Sequence, residues 1–185
     1  PVCAHCGRVV NKKTARCPAC MQTPLYPVDS VRAAVIFAEP IPTIIHQLKY
    51  NGYFGLAKPL ADLMVDAWSK WQKPSDLVVG VPLHPIREKK RGYNQSDLLA
   101  YHFCNQLNLA NDKKALQRVR NTTPQVGLKA NERITNVANA FTADSSRVAG
   151  KNILLIDDVC TTGSTLKAAA EALVAAGAKQ VSGYC

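Results

Sequence analysis

The chain has 185 residues, enough for one sizeable core and a small appendage. Hydrophobic residues make up 47% and charged residues 19%, which excludes a disordered chain, and no apolar run reaches the length that spans a bilayer. A net charge of +10 favours anionic partners, polyphosphate or nucleic acid, without choosing between them.

The sequence opens on Pro1 rather than a methionine and closes at Cys185, directly after the strand-like Gln180–Tyr184, so both ends read as trimmed. Residues 1–27 read as a zinc-ribbon-like module, basic and Cys-rich, ending in Thr23-Pro24 and Tyr26-Pro27. A piece this short cannot bury a core of its own, which calls for a metal staple. Cys3-Ala4-His5-Cys6 and Cys17-Pro18-Ala19-Cys20 form two C-x-x-C pairs separated by ten residues. Two such turns present four thiolates as a tetrahedron, the closed set of a structural zinc, and leave His5 as a bystander. Two local disulfides or redox pairs are the competing interpretation. The cysteine count is seven, with Cys104 and Cys160 outside any regular framework, so the chain reads as a protein of a reducing compartment, the cytoplasm.

Residues 28–185 read as a second unit. The apolar run Val31–Phe37 predicts a strand. Helical spacing follows over 41–50, with Ile44, Ile45 and Leu48, and over 55–72, with Leu56, Leu60, Leu63, Met64 and Ala67. Asp76–Val81 predicts a buried strand ahead of Pro82, and 95–108 a helix with Leu98, Leu99, Phe103 and Leu107 on one face. Arg118 to Asn139 is polar, basic and without a period. Ile153–Ile156 predicts a strand, and an Ala-rich helix runs from Ser164 to Ala176 with Gly177 as its stop. Strands alternating with helices imply an α/β fold, a parallel sheet flanked by helices.

The chemistry concentrates where Ile153-Leu154-Leu155-Ile156 runs into Asp157-Asp158-Val159-Cys160-Thr161-Thr162-Gly163-Ser164-Thr165. A buried strand ends in two carboxylates, and a hydroxyl-rich turn enters a helix. A helix start offers unsatisfied N–H groups and a positive dipole end, which receive a phosphate. Thr161, Thr162, Ser164 and Thr165 add hydroxyls, and Gly163 lets the backbone approach closely. Strand alternation would send Asp157 and Asp158 to opposite sides, free to accept from vicinal hydroxyls. No Lys follows Gly163 as a P-loop requires, and no Gly-x-Gly-x-x-Gly is present.

This segment resembles the phosphoribosyl pyrophosphate (PRPP) signature of type I phosphoribosyltransferases. With Leu48-Lys49-Tyr50, Val81-Pro82-Leu83-His84, Arg91-Gly92-Tyr93-Asn94-Gln95, Arg118 through Gln125, Arg133, Asn136, Ala140, Phe141 and the C-x-x-C pairs, the chain resembles the ComF family, phosphoribosyltransferase-like proteins associated with natural competence and DNA uptake. The resemblance implies that Asp157 and Asp158 bind the ribose hydroxyls and that Cys160, Thr161, Thr162, Gly163, Ser164 and Thr165 cradle the 5-phosphate. It further implies a pyrophosphate loop at Pro82, Leu83 and His84, helped by Arg87 and Arg91. A Mg²⁺ would bridge pyrophosphate and ribose oxygens, and residues 118–133 would form a mobile loop over the site.

Purine-salvage relatives carry an Asp where this chain has Thr161, so a purine acceptor is disfavoured, and His84 and His46 are general-base candidates by residue type alone. Two functions stay open: a PRPP-binding module in DNA uptake, with single-stranded DNA as a second anionic partner, and an active phosphoribosyltransferase with an unidentified acceptor.

Overall fold

The computed structural model describes residues 1–122 and 137–185. In chain order the elements are α1 (Pro18–Gln22), β1 (Val31–Arg32), α2 (Ile41–Tyr50), a 3-10 turn (Phe54–Leu56), α3 (Ala57–Trp68), β2 (Leu77–Gly80) and α4 (Pro85–Arg91). They continue with α5 (Gln95–Leu107), β3 (Leu116–Arg118), β4 (Phe141–Ala143), α6 (Ser145–Val148), β5 (Asn152–Ile156), α7 (Ser164–Ala175) and β6 (Gln180–Tyr184).

Four strands make the central sheet in the order β1-β6-β5-β2, all parallel. β6 and β5 are its two inner strands, with Leu77 to Gly80 beside Ile153 to Ile156 and Asn152 to Ile156 beside Gln180 to Tyr184. Side chains alternate across the sheet with period two, and both faces are covered. Leu77, Val79, Ile153 and Leu155 join Leu166, Ala169 and Leu173 of α7, together with Leu116 and Phe141 of the antiparallel pair β3–β4. Val78, Leu154 and Ile156 face the other way, onto Leu48 of α2, Leu60 and Met64 of α3, and Leu99 and Phe103 of α5. This second face is rich in rings: Trp68 lies 5.4 Å from Phe103 and 5.2 Å from Tyr184. The buried Tyr184 hydroxyl donates to the Met64 carbonyl at 2.7 Å, so its polar tip is satisfied.

Gly80 admits α5 to the sheet. A β-carbon there would stand 2.8 Å from the Asp97 nitrogen and 2.9 Å from its Cα, which only glycine avoids. The close approach buries Asp97, and this burial pushes its carboxyl up to about 6, with Asn94 opposing, Glu88 reinforcing and Lys113 opposing. A carboxyl raised from about 3.9 in the unfolded chain holds more protons when folded, so stability falls as pH rises from about 4 to about 6. Urea titrations at several pH values should show a loss of about 2 kcal/mol across this window. Asp97→Asn should reduce the loss by that amount, leaving the share that the raised Asp157 carries; a variant that keeps the parent's full pH slope would assign it to another group.

Four stretches differ from the sequence expectation or extend it. The strand expected over Val31–Phe37 is shorter: β1 covers Val31–Arg32, and one further backbone bond, from the Ala34 N–H to the Cys185 carbonyl at 2.7 Å, follows it. Ile36 and Phe37 are then 73% and 55% exposed. The basic stretch after His84 is helical in α4: Pro85 suits a first turn, and Lys89, Lys90 and Arg91 sit at the negative end of the dipole. β3 and β4 fall at the ends of the aperiodic stretch, pairing Arg118 with Phe141, with the guanidinium 5.3 Å from the ring centroid. Residues 123–136, where most of the expected covering loop falls, lie outside the described residues.

The cysteine-rich segment has its own small cluster of Cys3, Cys17 and Cys20. It meets the sheet edge through Val31, whose N–H donates to the His5 carbonyl at 2.7 Å, and Arg32, which donates to the Ala4 carbonyl at 3.1 Å.

Candidate functional site

β5 ends at Ile156, and the Asp157 N–H adds one more bond along β6, to the Tyr184 carbonyl at 3.1 Å, before the chain turns. Both acids line one cavity of about 640 Å³. Asp157 is 8% exposed; its Oδ1 accepts from Ser96 Oγ at 3.1 Å and from the Asp158 N–H at 2.9 Å. Burial, then the neighbouring Asp158 charge, push the Asp157 carboxyl well above the usual range, with Lys49 opposing. Asp158 pairs with the Lys49 ammonium through Oδ2 and accepts from Gln95 Nε2 at 3.4 Å through Oδ1. Burial works against the Lys49 charge, but Asp158 and then Asp157 outweigh it and raise its pKa.

Across the cavity stand Arg87, Lys90 and Arg91 of α4 and Arg118 of β3, with Pro82 and Leu83 as wall. Burial and the nearby Arg87 lower Arg118 to about 10, which leaves it charged at neutral pH. His84 is not part of this lining. Its Nδ1 accepts from the Ile86 N–H at 3.3 Å, capping α4, a structural use of the ring. His46 packs 4.9 Å from Tyr50.

The turn between β5 and α7 is shared between two cavities. Val159 and Thr165 line the first, whereas Cys160, Thr161 and Thr162 line a second of about 370 Å³ together with Gly7, Arg8 and Leu25. Gly163 and Ser164 are buried. Gly163 has φ of 77°, where glycine is favoured, and a β-carbon there would lie 2.6 Å from Leu25 Cδ2. Thr162 Oγ1 accepts from the Ser164 N–H at 3.3 Å and lies 2.6 Å from Ser164 Oγ. The first turn of α7 holds no acidic residue, so its positive end is not masked by its own sequence. The Cys185 thiol hydrogen-bonds Cys160 and lowers the Cys160 pKa.

The four N-terminal cysteines converge as their spacing predicts. Cys3, Cys6, Cys17 and Cys20 hold their sulfurs within 4.8 Å of one another, and none is in a disulfide. Burial raises the Cys3 thiol, but N–H groups of Cys6, His5 and Cys17 outweigh it and bring it down to about 6, favouring a thiolate ligand. The set can hold a metal ion such as zinc. His5 stays outside it, its Nδ1 donating to the Asp29 carbonyl at 2.8 Å.

Sequence reasoning did not assign Lys49, Gln95 and Ser96 their partners on the acid pair, nor Arg118 its place in the cavity. The signal for Lys49 was weak, since a basic residue in a last helical turn reads as a dipole partner. Among the described residues, no helix is long and apolar enough to cross a membrane.

Residues 72–185 match the family model described as phosphoribosyl transferase domain. Competence protein F of Haemophilus influenzae is 32% identical over 189 residues, covering 98% of this chain and 82% of that protein. DNA utilization protein YhgH of Escherichia coli K12 is 34% identical over 190 residues, covering 100% of this chain and 82% of the relative. Competence protein ComFC of Streptococcus pneumoniae is 25% identical, with coverages of 97% and 84%. Among solved structures, a glutamine PRPP amidotransferase from B. subtilis superposes with a TM-score of 0.49 at 19% identity, over 69% of this chain and 26% of that one. By the matched domain and by near-full-length similarity, the chain belongs to the phosphoribosyl transferase domain family and, within it, to the competence protein F group.

Proposed function

We propose that the chain binds PRPP or a related ribose phosphate and serves DNA handling during natural competence, in the cytoplasm. In this reading residues 28–185 carry the ligand and residues 1–27 form a module stapled by one structural zinc. The single observation that carries it is the pairing of Asp157 and Asp158 with the start of α7, on a cavity rimmed by Arg87, Arg91 and Arg118. Carboxylates accept from vicinal hydroxyls, while the turn Thr161–Thr165, which reaches the acid cavity at Thr165, receives the 5-phosphate. Arg87 and Arg91, with the backbone of Pro82 and Leu83, neutralise the pyrophosphate.

Mg²⁺ suits this site as the counter-ion of the pyrophosphate, with its oxygens drawn from substrate and water. Both Asp158 oxygens already have protein partners, so the acid pair is not a vacant cage for it. Single-stranded DNA as a further partner is supported by exposed Tyr50, Tyr53 and Phe54 near Lys90 and Arg91, since bases stack on such rings beside basic residues.

Calorimetry with PRPP and Mg²⁺, followed by a pyrophosphate-release assay over a panel of acceptors, tests the reading. Binding without release is the expected outcome for a binding module. Release above the no-protein control would establish instead the second reading, an active phosphoribosyltransferase. Absence of PRPP binding would overturn both.

A further inference from the structure

Two acids side by side at a sugar site need a counter-charge, and here a lysine from outside the matched domain supplies it. Lys49 ends α2 on a clamped stem. Leu48 before it is fully buried, with its carbonyl taken by the Tyr93 hydroxyl, and the Tyr50 ring after it lies 5.5 Å from the Arg91 guanidinium. Arg91 also donates to Gln95 Oε1, and Gln95 donates to Asp158. The Leu48-Lys49-Tyr50 and Arg91–Gln95 segments thus close one network around Asp158, whose side chain is 4% exposed against 22% for Lys49.

Charge decides what else this cavity accepts. Lys49, Arg87, Lys90, Arg91 and Arg118 face it, against Asp157 and Asp158. A divalent ion placed on the acids would have to displace Lys49 and sit among the remaining cations, a repulsive arrangement at low dielectric. Mg²⁺ also demands near-octahedral oxygen ligands and gives up water reluctantly, and each Asp158 oxygen already faces a protein donor, Lys49 at Oδ2 and Gln95 at Oδ1.

We infer that Lys49 is the resident cation of the acid pair, standing where a divalent ion would otherwise be needed, so that the ribose phosphate half of the ligand binds without metal. Lys49 is a positioning residue: its ion pair to Oδ2 holds the Asp158 side chain in place and oriented toward the sugar hydroxyls. Any Mg²⁺ enters on the pyrophosphate alone. The inference rests on the ribose phosphate reading above.

The test is calorimetry with ribose 5-phosphate, which lacks pyrophosphate, in buffer stripped of divalent ions by a chelating resin and again with Mg²⁺ added. The resin treats the buffer and not the protein, so the cysteine-bound metal stays in place. The parent's affinity should change by less than about twofold between buffers, because no metal-dependent contact is made. Lys49→Gln should weaken metal-free binding about tenfold or more through loss of a charged partner, and added Mg²⁺ should recover part of it. Lys49→Arg should keep metal-free binding; circular dichroism checks each fold. If Lys49→Gln does not fold, the parent and Lys49→Arg titrations decide. A parent that binds ribose 5-phosphate only with Mg²⁺, or a folded Lys49→Gln that matches it in stripped buffer, overturns the inference while sparing the site. A parent that binds in neither buffer removes the ribose phosphate reading itself.

Discussion

Cys17→Ser is expected to release the metal and unfold the cysteine-rich segment. Cys17 is buried, its sulfur lies 3.7 Å from that of Cys6, and its N–H donates to Cys3 Sγ at 3.3 Å. The cluster around it is Cys3, Cys17 and Cys20, packed with Cys6, Val10 and Ala19, too little apolar surface to hold a fold unaided. Structural zinc in small modules contributes about 10–16 kcal/mol of binding free energy at neutral pH, all of it coupled to folding. Removing one of four thiolates should therefore strip zinc from most molecules and open the segment to proteolysis. Elemental analysis and limited proteolysis of parent and variant check this. A parent chain free of zinc, or a variant that keeps both its metal and its protease resistance, would remove the staple.

The second large effect is expected at the acids. Asp157→Asn with Asp158→Asn should weaken ribose phosphate binding at least ~100-fold, since hydrogen bonds to charged groups are worth about 1.5–3 kcal/mol each and both acids of the pair are changed together. The fold should persist. Asparagine can still accept from Ser96 Oγ and the residue 158 N–H, and Lys49, 22% exposed, can turn its ammonium toward water. Calorimetry with PRPP measures the loss and thermal melts measure the fold. Unchanged affinity in a folded double variant would place the ligand elsewhere.

How far the sequence disclosed this molecule depended on how local each signal was. β5 and α7 were legible because an apolar run, a glycine turn and an Ala-rich helix lie consecutively, and the acid pair was read from the same segment. Val31–Phe37 misled because Val35, Ile36 and Phe37 are apolar yet exposed, and composition alone does not show which apolar residues a sheet takes up. α4 was missed for the opposite reason: it buries no residue, so it has no apolar stripe, and its signals were Pro85 at the start and Gly92 at the stop. β3 and β4 are three residues each and pair only through the tertiary fold. In the site, Asp158 and the loop were read directly, whereas Lys49 and Ser96 reach the acids from helices remote in sequence. No periodicity reports such a meeting.

Leu25 has a consequence for how the molecule can be divided. Its methyl carbons rest on Gly163, while Leu25 and Val28 belong to the same apolar cluster as β5 and α7. The matched stretch begins at residue 72, after the edge strand, after Trp68 and after Lys49. A fragment excised at that border would strip α2 and α3 from the face that carries Leu154 and Tyr184, remove the roof over the anion turn and discard the only lysine touching the acids among the described residues. The domain match begins at residue 72; the packing places the indivisible unit much nearer the first cysteine.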